Sequence, residues 1–291
     1  MTLKQSLREA RAIFERHHIS DSRLVSELLL RHALGISRVQ LYQELHRELG
    51  PGEEVDFGRL IERCLSGEPV AYITGHREFY GLDFYVDANV LVPRPETELL
   101  VERALALARE RPIATIADIG TGSGAVAVSL ALGLPQTRIY ATDVSAPALR
   151  VARFNCRKHG VEDRVCLLRG DLLSPLPEPV DLIVANLPYV GEEEVSRRGL
   201  AGFEPALALN GGGDGLEKIR ELCSGLGEGL CPGGTLLLEV GMGQSRTVAG
   251  LLHSLFPEAG IEITPDLSGI ERVVGLTPGL TPVCPDARLF S

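Results

Sequence analysis

The chain has 291 residues, 44% of them hydrophobic, so it is long enough for one or two domains with a real core and is not expected to be disordered. Its formal net charge of −10 argues against a protein that binds nucleic acid mainly through phosphate contacts, which needs a basic face. The six cysteines form no C-x-x-C pair, and neither a signal-peptide core nor a stretch of membrane-spanning length occurs. We therefore expect reduced thiols, a cytoplasmic location and no membrane segment.

Residues 1–77 have the apolar spacing of amphipathic helices. Leu3, Leu7 and Ala10 recur at helical intervals, and glycines further along punctuate the pattern as helix ends do. Charges are nearly balanced, with 11 Lys and Arg against 12 Asp and Glu over residues 1–78. The sequence therefore predicts a small helical bundle.

Residues 78–95 change from a helical to a strand-like period. Apolar residues from Phe79 to Val86 come before Asp87-Ala88-Asn89, and a second apolar run follows. We predict a β-hairpin that turns at residues 87–89 and links two domains. A helix is expected from about Glu98 onward.

From residue 113 onward, short apolar runs alternate with helical stretches. The runs lie at residues 113–120, 138–143, 164–171, 180–186 and 235–241. Alternation of this kind predicts an α/β fold with a parallel, doubly wound sheet. Residues 261–278 read as two further strands, an antiparallel hairpin at the sheet edge, and residues 279–291 as a surface tail.

A glycine-rich segment follows the first of these strands and opens a helix. Gly120, Gly122 and Gly124, with Thr121 and Ser123 between them, allow the backbone to approach a ligand closely, and the helix N-terminus offers free N–H groups. Ligands of open α/β sheets bind beyond the carboxyl ends of the strands. The G-x-G-x-G spacing differs from the dinucleotide fingerprint G-x-G-x-x-G. Three glycines in five residues exceed what a tight turn requires, so we predict a ligand-binding loop.

Acidic residues end the next two strands. Asp143 can accept both hydroxyls of a ribose, and Asp171 can accept from an adenine amino group. Each alone is equally well explained as a helix cap or turn residue, and an NAD site would also place an acid at Asp143. Together with the glycine loop they favour a nucleoside ligand, and S-adenosylmethionine fits the glycine spacing better than NAD.

The fourth strand ends in Asn186-Leu187-Pro188-Tyr189. Asn186 offers a carbonyl acceptor, the backbone carbonyl of Leu187 or Pro188 offers a second, and Pro188 restricts the backbone. Tyr189 offers a flat face for a planar group. Such a set can hold a planar –NH2 by its two hydrogens with the nitrogen lone pair directed at a methyl donor, so that catalysis is by positioning. No nucleophilic side chain and no metal is required.

The four-residue motif is similar to the [ND]-x-P-[YFW] pattern of methyltransferases that act on planar amino nitrogens. Across residues 20–276 the chain resembles the HemK/PrmC family, N5-glutamine methyltransferases that modify the Gly-Gly-Gln motif of class-1 peptide chain release factors. The segments that carry the resemblance occur in the same order: GHREFYGLDFYV, VLVPRPETELLV, ADIGTGSGAVAVSLA, YATDVS, ANLPYV, FEPALAL and GGDGL.

The resemblance implies a class I, seven-stranded S-adenosylmethionine-dependent methyltransferase domain over residues 96–278. A release-factor-recognition bundle (1–77) and a hairpin linker (78–95) would precede it. The cofactor would be bound by Gly120 to Gly124, Asp143, Asp171, Leu172 and Asn186, and the substrate by residues 186–189, with Asn186, Pro188 and Tyr189 as the catalytic set. The family usually has Pro where this chain has Leu187, and Pro188 is expected to compensate.

Other functions share some of these features. An N6-adenine DNA methyltransferase or a guanine-N2 RNA methyltransferase would use the same grip on a planar amine, but the acidic charge disfavours stable nucleic-acid binding. A non-catalytic S-adenosylmethionine-binding module is disfavoured by the intact Asn186, Pro188 and Tyr189. Outside the motifs, Glu204 is expected to order the loop that follows the site.

Overall fold

The computed structural model describes residues 1–198 and 202–277. It divides the chain into two compact units, Met1–His76 and a second that begins at Arg77. The tail predicted at residues 279–291 lies outside the described residues. No helix in the described part of the chain is long and apolar enough to cross a membrane.

The first unit is helical, as the spacing of its apolar residues predicts. Thr2 and Ser37 each begin a helix with a capping box, in which the side chain accepts from the backbone three residues on. Fully buried apolar residues such as Phe14 and Leu29 form the core. The helices are α1 (Leu3–Arg16), α2 (Ser22–Leu34), α3 (Arg38–Gln43), α4 (Pro51–Leu65) and α5 (Val70–Thr74).

A hairpin lies in this part of the chain, but it is not the predicted one, because the chain does not reverse at residues 87–89 and residues 90–92 form no strand. Strand β1 (His76–Phe79) and strand β2 (Leu82–Tyr85) are joined by Tyr80 and Gly81, whose φ angles are 52° and 70°. Positive φ at both central positions is typical of a type I′ turn; glycine adopts it freely, whereas it is uncommon for tyrosine. Residues 87–89 form a separate turn after the hairpin, in which the Asn89 N–H donates to the Asp87 carboxylate over 2.9 Å.

The second unit contains a seven-stranded sheet, which confirms the predicted α/β fold class. The strands lie in the order β5-β4-β3-β6-β7-β9-β8; the first five are parallel, and β9 runs antiparallel to both of its neighbours, β7 and β8. The chain reverses its direction of winding between β3 and β6, so a crevice is expected beyond the ends of these strands. The strands are β3 (Thr115–Ile119), β4 (Arg138–Asp143), β5 (Val165–Arg169), β6 (Val180–Ala185), β7 (Leu230–Glu239), β8 (Gly260–Pro265) and β9 (Glu271–Thr277).

Helices cover both faces of this sheet, and two apolar clusters result. Alternate strand residues point to opposite faces, so Ile116 and Leu182 enter one cluster while Ile119 and Ile183 enter the other. The helices of the second unit are α6 (Glu98–Glu110), α7 (Ala125–Gly133), α8 (Ala146–Lys158), α9 (Glu192–Arg198), α10 (Glu217–Gly229) and α11 (Ser245–Leu255). A 3-10 turn (Pro95–Thr97) precedes α6.

The hairpin is part of the core of this second unit. Phe79 and Phe84 are fully buried within it. Asn155 on α8, also fully buried, accepts from the Tyr85 N–H and donates to the Tyr85 and Ser123 carbonyls, each over 2.9 Å. One side chain thus joins the hairpin to the glycine-rich segment.

Substitution Asn155→Ala is expected to lower the free energy of unfolding by about 3 kcal/mol, because it leaves three backbone groups without partners. Urea unfolding of the full chain measures this. Arg150→Ala, at an exposed position of the same helix, is the control. A loss for Asn155→Ala no larger than that of the control would contradict this role.

Candidate active site

A cavity lies beyond the carboxyl ends of β3, β4, β5 and β6. Of the residues that the sequence predicts for the cofactor and substrate sites, ten line this cavity: Gly120, Thr121, Gly122, Ser123, Asp143, Asp171, Leu172, Asn186, Leu187 and Pro188. Two others, Gly124 and Tyr189, are not among the described residues that line it. The strand ends therefore bring separate sequence motifs to one place.

The glycine loop is held in a conformation that favours glycine. Gly120, Gly122 and Gly124 have φ angles of 75°, 55° and 79°. A Cβ on Gly120 would lie 3.3 Å from the Leu187 side chain, and one on Gly124 would lie 3.2 Å from the Cβ of Ala152. Gly124 thus serves packing beneath the loop, whereas Gly120 and Gly122 form the cavity wall.

Asp118, at the end of β3, fixes the loop from below. Its buried carboxylate accepts from the Thr121 hydroxyl over 2.6 Å and from the Ala127 N–H over 3.2 Å. Burial raises the pKa of Asp118 to about 6, although these hydrogen bonds oppose the rise. Sequence reasoning missed Asp118. An acid that ends an apolar strand was the available signal.

Asp143 combines a structural role with spare acceptor capacity. One carboxylate oxygen accepts from the Ser145 N–H over 2.8 Å, and the other accepts from the Gly122 N–H over 2.9 Å. Burial raises its pKa, and the two backbone hydrogen bonds lower it. Each oxygen has a second lone pair, so the carboxylate can still accept from two hydroxyl groups in the cavity.

A strained residue shapes the next part of the wall. Leu172 has a φ of 46°, and the Thr142 hydroxyl donates to its carbonyl over 3.1 Å. A non-glycine residue in this region is uncommon and marks a position that its surroundings fix. The neighbouring Asp171 accepts from Lys218 over 3.0 Å, and Lys218, which sequence reasoning missed, also lines the cavity.

The segment after β6 presents hydrogen-bond acceptors. The side-chain nitrogen Nδ2 of Asn186 donates to the Thr97 hydroxyl over 2.9 Å, which leaves Oδ1 available. Within residues 1–198 and 202–277, the carbonyls of Leu187 and Pro188 accept no hydrogen bond. By contrast, the Tyr189 carbonyl accepts from the Gln244 side chain over 2.9 Å. Three oxygen atoms of this short segment, Oδ1 of Asn186 and the carbonyls of the next two residues, therefore accept no hydrogen bond from the described residues.

Leu187 supports this segment by packing. Its side chain is buried and lies against Gly120, so it joins the end of β6 to the glycine loop. The usual proline of the family would stiffen this position through its ring. Leucine instead anchors it by burial, while Pro188 still restrains the backbone.

Tyr189 lies behind the segment. Its hydroxyl is 3.5 Å from Oε1 of Glu239, and a Cβ on Gly241 would lie 3.0 Å from its ring. Burial raises the pKa of Tyr189 to about 12, so it remains neutral. The partly buried ring packs against the cluster that includes Leu238 and Val240, and the flat face that the sequence predicts for a planar substrate group stays a prediction.

A second glycine-rich loop, residues 211–215, lies against the same segment. A Cβ on Gly211 would lie 2.6 Å from the Pro188 carbonyl oxygen, and one on Gly215 would clash with the Tyr189 carbonyl oxygen. The Gly211 N–H donates to the Val190 carbonyl over 2.8 Å. Only glycine fits at positions 211 and 215, which gives these two residues a packing role that sequence reasoning missed.

Glu204 ties its own loop to the segment before α6. It accepts from the Val92 N–H over 3.1 Å and pairs with Arg94 over 2.5 Å. These contacts give Glu204 a structural role, the kind of role that the sequence analysis expects of it.

Glu239, the last residue of β7, is a buried acid that sequence reasoning missed. Its side chain is almost inaccessible, and burial raises its pKa to about 7. The signal was a glutamate at the end of the apolar run TLLLEV, a residue type that is rarely buried without a reason.

Each of the two units of the chain matches a known protein domain. Residues 5–75 match the PrmC N-terminal domain, and residues 95–204 match the methyltransferase small domain. The chain is 43% identical over 276 residues to a release factor glutamine methyltransferase of Moorella thermoacetica, covering 94% of this chain and 97% of the relative. It is 44% identical over 257 residues to the Neisseria gonorrhoeae protein of that name, covering 86% and 92%.

Among solved structures, a methyltransferase from Pyrococcus furiosus is similar with a TM-score of 0.50 at 17% identity. The match covers 75% of this chain and 98% of that one. At this identity the similarity concerns the fold, and it agrees with the seven-stranded sheet of the second unit.

The raised pKa of Asp118 predicts a pH-dependent stability. Between about pH 4 and pH 6 the folded state keeps a proton that the unfolded state releases, so the free energy of unfolding falls as pH rises through this window. Asp118 lowers the free energy of unfolding by about 3 kcal/mol over this window. Asp118→Asn removes this pH dependence. The free energy of unfolding of the variant, relative to that of the wild type, should therefore be about 3 kcal/mol higher at pH 7 than at pH 4.

Urea unfolding of both proteins at the two pH values measures this difference, with Asp163→Asn, at an exposed position, as the control. An equal stability difference between Asp118→Asn and wild type at both pH values would show that the carboxyl group is not perturbed in this way.

Proposed function

The chain belongs to the family of release factor glutamine methyltransferases, and from that membership we propose its specific reaction. It methylates the side-chain nitrogen of the glutamine in the Gly-Gly-Gln motif of class-1 peptide chain release factors, with S-adenosylmethionine as methyl donor. The observation that carries this proposal is the group of unclaimed acceptor oxygens at Asn186, Leu187 and Pro188. These three residues line the same cavity as the glycine loop and Asp143.

The residues of the cavity fit S-adenosylmethionine. Asp143 has one lone pair left on each oxygen for the ribose hydroxyls, and the left-handed backbone at Gly120 and Gly122 keeps the wall free of side chains. Leu172 and Asp171 line the same cavity, and in our proposal Leu172 flanks the adenine while Asp171 accepts from its amino group. When bound, this cofactor supplies a methyl group on a positively charged sulfur.

The chain's own contribution to methyl transfer is the grip on the substrate amide. An amide nitrogen is a weak nucleophile because its lone pair is delocalised. In our proposal Oδ1 of Asn186 and the carbonyl of Leu187 or Pro188 accept its two hydrogens, which fixes the plane of the amide and leaves the face of the nitrogen directed into the cavity. Orientation of this kind contributes a large part of many enzymatic rate enhancements.

Tyr189 takes a supporting role in this proposal. Its ring packs against an apolar cluster, and its carbonyl accepts a hydrogen bond from the Gln244 side chain. These two contacts restrict the movement of the backbone that carries the acceptor oxygens. The position of the acceptors therefore depends on contacts on both sides of the segment.

The first unit is proposed to recognise the release factor. Its residues 5–75 match the PrmC N-terminal domain, and neither its balanced charge nor the net charge of −10 suits a nucleic acid substrate. Since release factors act in translation, a cytoplasmic location follows from the same proposal.

Transfer of labelled methyl from S-adenosylmethionine tests the function. The purified protein is offered a class-1 release factor, the same factor with the Gly-Gly-Gln glutamine replaced, and duplex DNA. We expect label on the intact factor alone. Label on DNA would support the nucleic-acid alternative, and label on the altered factor would place the methyl group on another residue.

Substitution Asn186→Ala is expected to lower kcat/KM for the release factor about 100- to 1,000-fold, because it removes an acceptor that positions the reacting nitrogen. The melting temperature checks that the fold is retained. The matched control is Gln136→Ala, which removes an exposed side-chain amide at a position that does not line the cavity. Turnover of Asn186→Ala near that of the control would contradict the proposed grip on the amide.

A further inference from the structure

We propose that a basic groove on the first unit docks an acidic segment of the release factor. The groove is a cavity along α1, α2 and α3, and its wall carries four basic side chains: Lys4, Arg8, Arg11 and Arg23. This inference rests on the proposed function, since it specifies how the first unit would recognise the substrate protein.

Basic side chains are concentrated in this groove although the first unit as a whole is nearly neutral. Residues 1–78 carry 11 Lys and Arg against 12 Asp and Glu, whereas Glu27 is the one acid beside the four bases that line the groove. Glu27 is 3% exposed and already has partners: the Tyr42 hydroxyl donates to it over 2.9 Å, and Nε of Arg38 lies 2.8 Å from it. Because Arg38 does not line the groove, the charge of Glu27 is offset from outside and the groove keeps its excess of positive charge.

Three of the four cations are available to another molecule. Arg11 pairs with Glu15 over 2.7 Å. Within residues 1–198 and 202–277, no carboxylate forms an ion pair with Lys4, Arg8 or Arg23, and all three side chains are exposed. An ammonium or guanidinium group in this state can donate charge-assisted hydrogen bonds to the carboxylates of a partner.

The positions of these cations disfavour the helices that carry them. Lys4, Arg8 and Arg11 follow one another on α1 at spacings of four and three residues, where like charges repel. Lys4 and Arg23 also lie in the first turns of α1 and α2, which contain no acidic residue, although the helix dipole favours acids there. Helix stability therefore does not explain this placement, and binding of an external anion does.

The carboxylates of a protein segment fit this groove better than a nucleic acid. Between Lys4 and Arg11 the cations extend over about 10 Å of α1, which is the length of about three residues of extended chain. A long polyanion would meet the repulsion of a chain with a net charge of −10, whereas a short acidic segment contacts the groove alone. Tyr42, which is 42% exposed, completes the wall, and Tyr and Arg are residue types enriched in protein–protein interfaces.

Two charge reversals and a matched control test the groove in the full-length protein. Arg8→Glu and Arg23→Glu reverse charges inside the groove, and Arg59→Glu makes the same change of charge at an exposed position of α4 that does not line it. The melting temperature and the calorimetric affinity for S-adenosylmethionine check that each variant is intact. The measured quantity is the Kd for a class-1 release factor at low and at high salt.

We expect each reversal in the groove to weaken binding of the release factor about tenfold or more at low salt, and the double variant about a hundredfold. The control should change the Kd less than about threefold. The difference between groove variants and wild type should shrink as salt rises, because salt screens exposed charges. Groove variants that bind the factor as tightly as the control does would overturn the inference.

Carbodiimide coupling identifies the docked groups without charge reversal. The reagent joins a lysine amine to a carboxyl group in contact with it, and the chain has three lysines, Lys4, Lys158 and Lys218. Mass spectrometry should find Lys4 joined to an Asp or Glu of the release factor, and this product should be lost when Arg8 and Arg23 are both reversed. Coupling of the factor at Lys158 or Lys218 only would contradict docking at the groove.

These measurements separate the groove from the proposed reaction. A wild-type protein that binds the factor through the groove but transfers no methyl group would contradict the proposed function and retain the docking surface. Methylation of the factor with an unchanged Kd in both reversals would contradict the docking surface alone, and a protein that neither binds nor methylates the factor would contradict both. Binding of duplex RNA that the same reversals abolish would assign the groove to nucleic acid and overturn the inference.

Discussion

The pairing of β3 with β6 is the constraint on which the rest of the site depends. Ile119 lies beside Ala185 in the register, so Gly120 and Asn186, the residues that follow, leave the sheet side by side. The Leu187 side chain then fits over Gly120, where a Cβ would press against it. Because the winding of the sheet reverses at this pair, no crossover helix covers the opening, and the two loops that the sequence separates by more than sixty residues share one cavity.

Two carboxylates at the strand ends, one buried and one half-buried, hold this arrangement in place. Asp118 fixes the glycine loop through a hydroxyl and a backbone N–H, and Asp143 does so through the N–H groups of Gly122 and Ser145. Burial raises the pKa of both. A charge in this position costs stability, and each hydrogen bond offsets part of that cost while it fixes the backbone. The site is thus preorganised by groups that an all-apolar strand end could not supply.

Local signals in the sequence were sufficient for much of the fold. Three of these signals depend only on residues that are neighbours in the chain: the glycine spacing, the acids at strand ends and the Asn186-Leu187-Pro188-Tyr189 motif. They could therefore be recognised from the sequence. The sheet strands and their antiparallel edge hairpin followed from the apolar period. The turn of the first hairpin was missed because Tyr80 adopts a positive φ angle, which is not expected for a tyrosine.

Contacts between distant segments could not be predicted in this way. The hydrogen bond from Asn186 to Thr97 joins the end of β6 to the 3-10 turn before α6, two segments whose residues lie 89 positions apart in the chain. The direction of the Tyr189 ring depends on Gly241 and Gln244, which lie after β7. A motif identifies the residues of such a site, whereas the sheet decides which of their faces is turned toward the cavity.

A crystal structure with S-adenosylhomocysteine and a peptide containing Gly-Gly-Gln would show directly where the substrate amide binds. We expect the glutamine nitrogen about 3 Å from Oδ1 of Asn186 and from the carbonyl of Leu187 or Pro188, with the ribose hydroxyls on Asp143. A glutamine amide bound away from these oxygens, or a cofactor bound away from Asp143, would contradict the proposed binding mode.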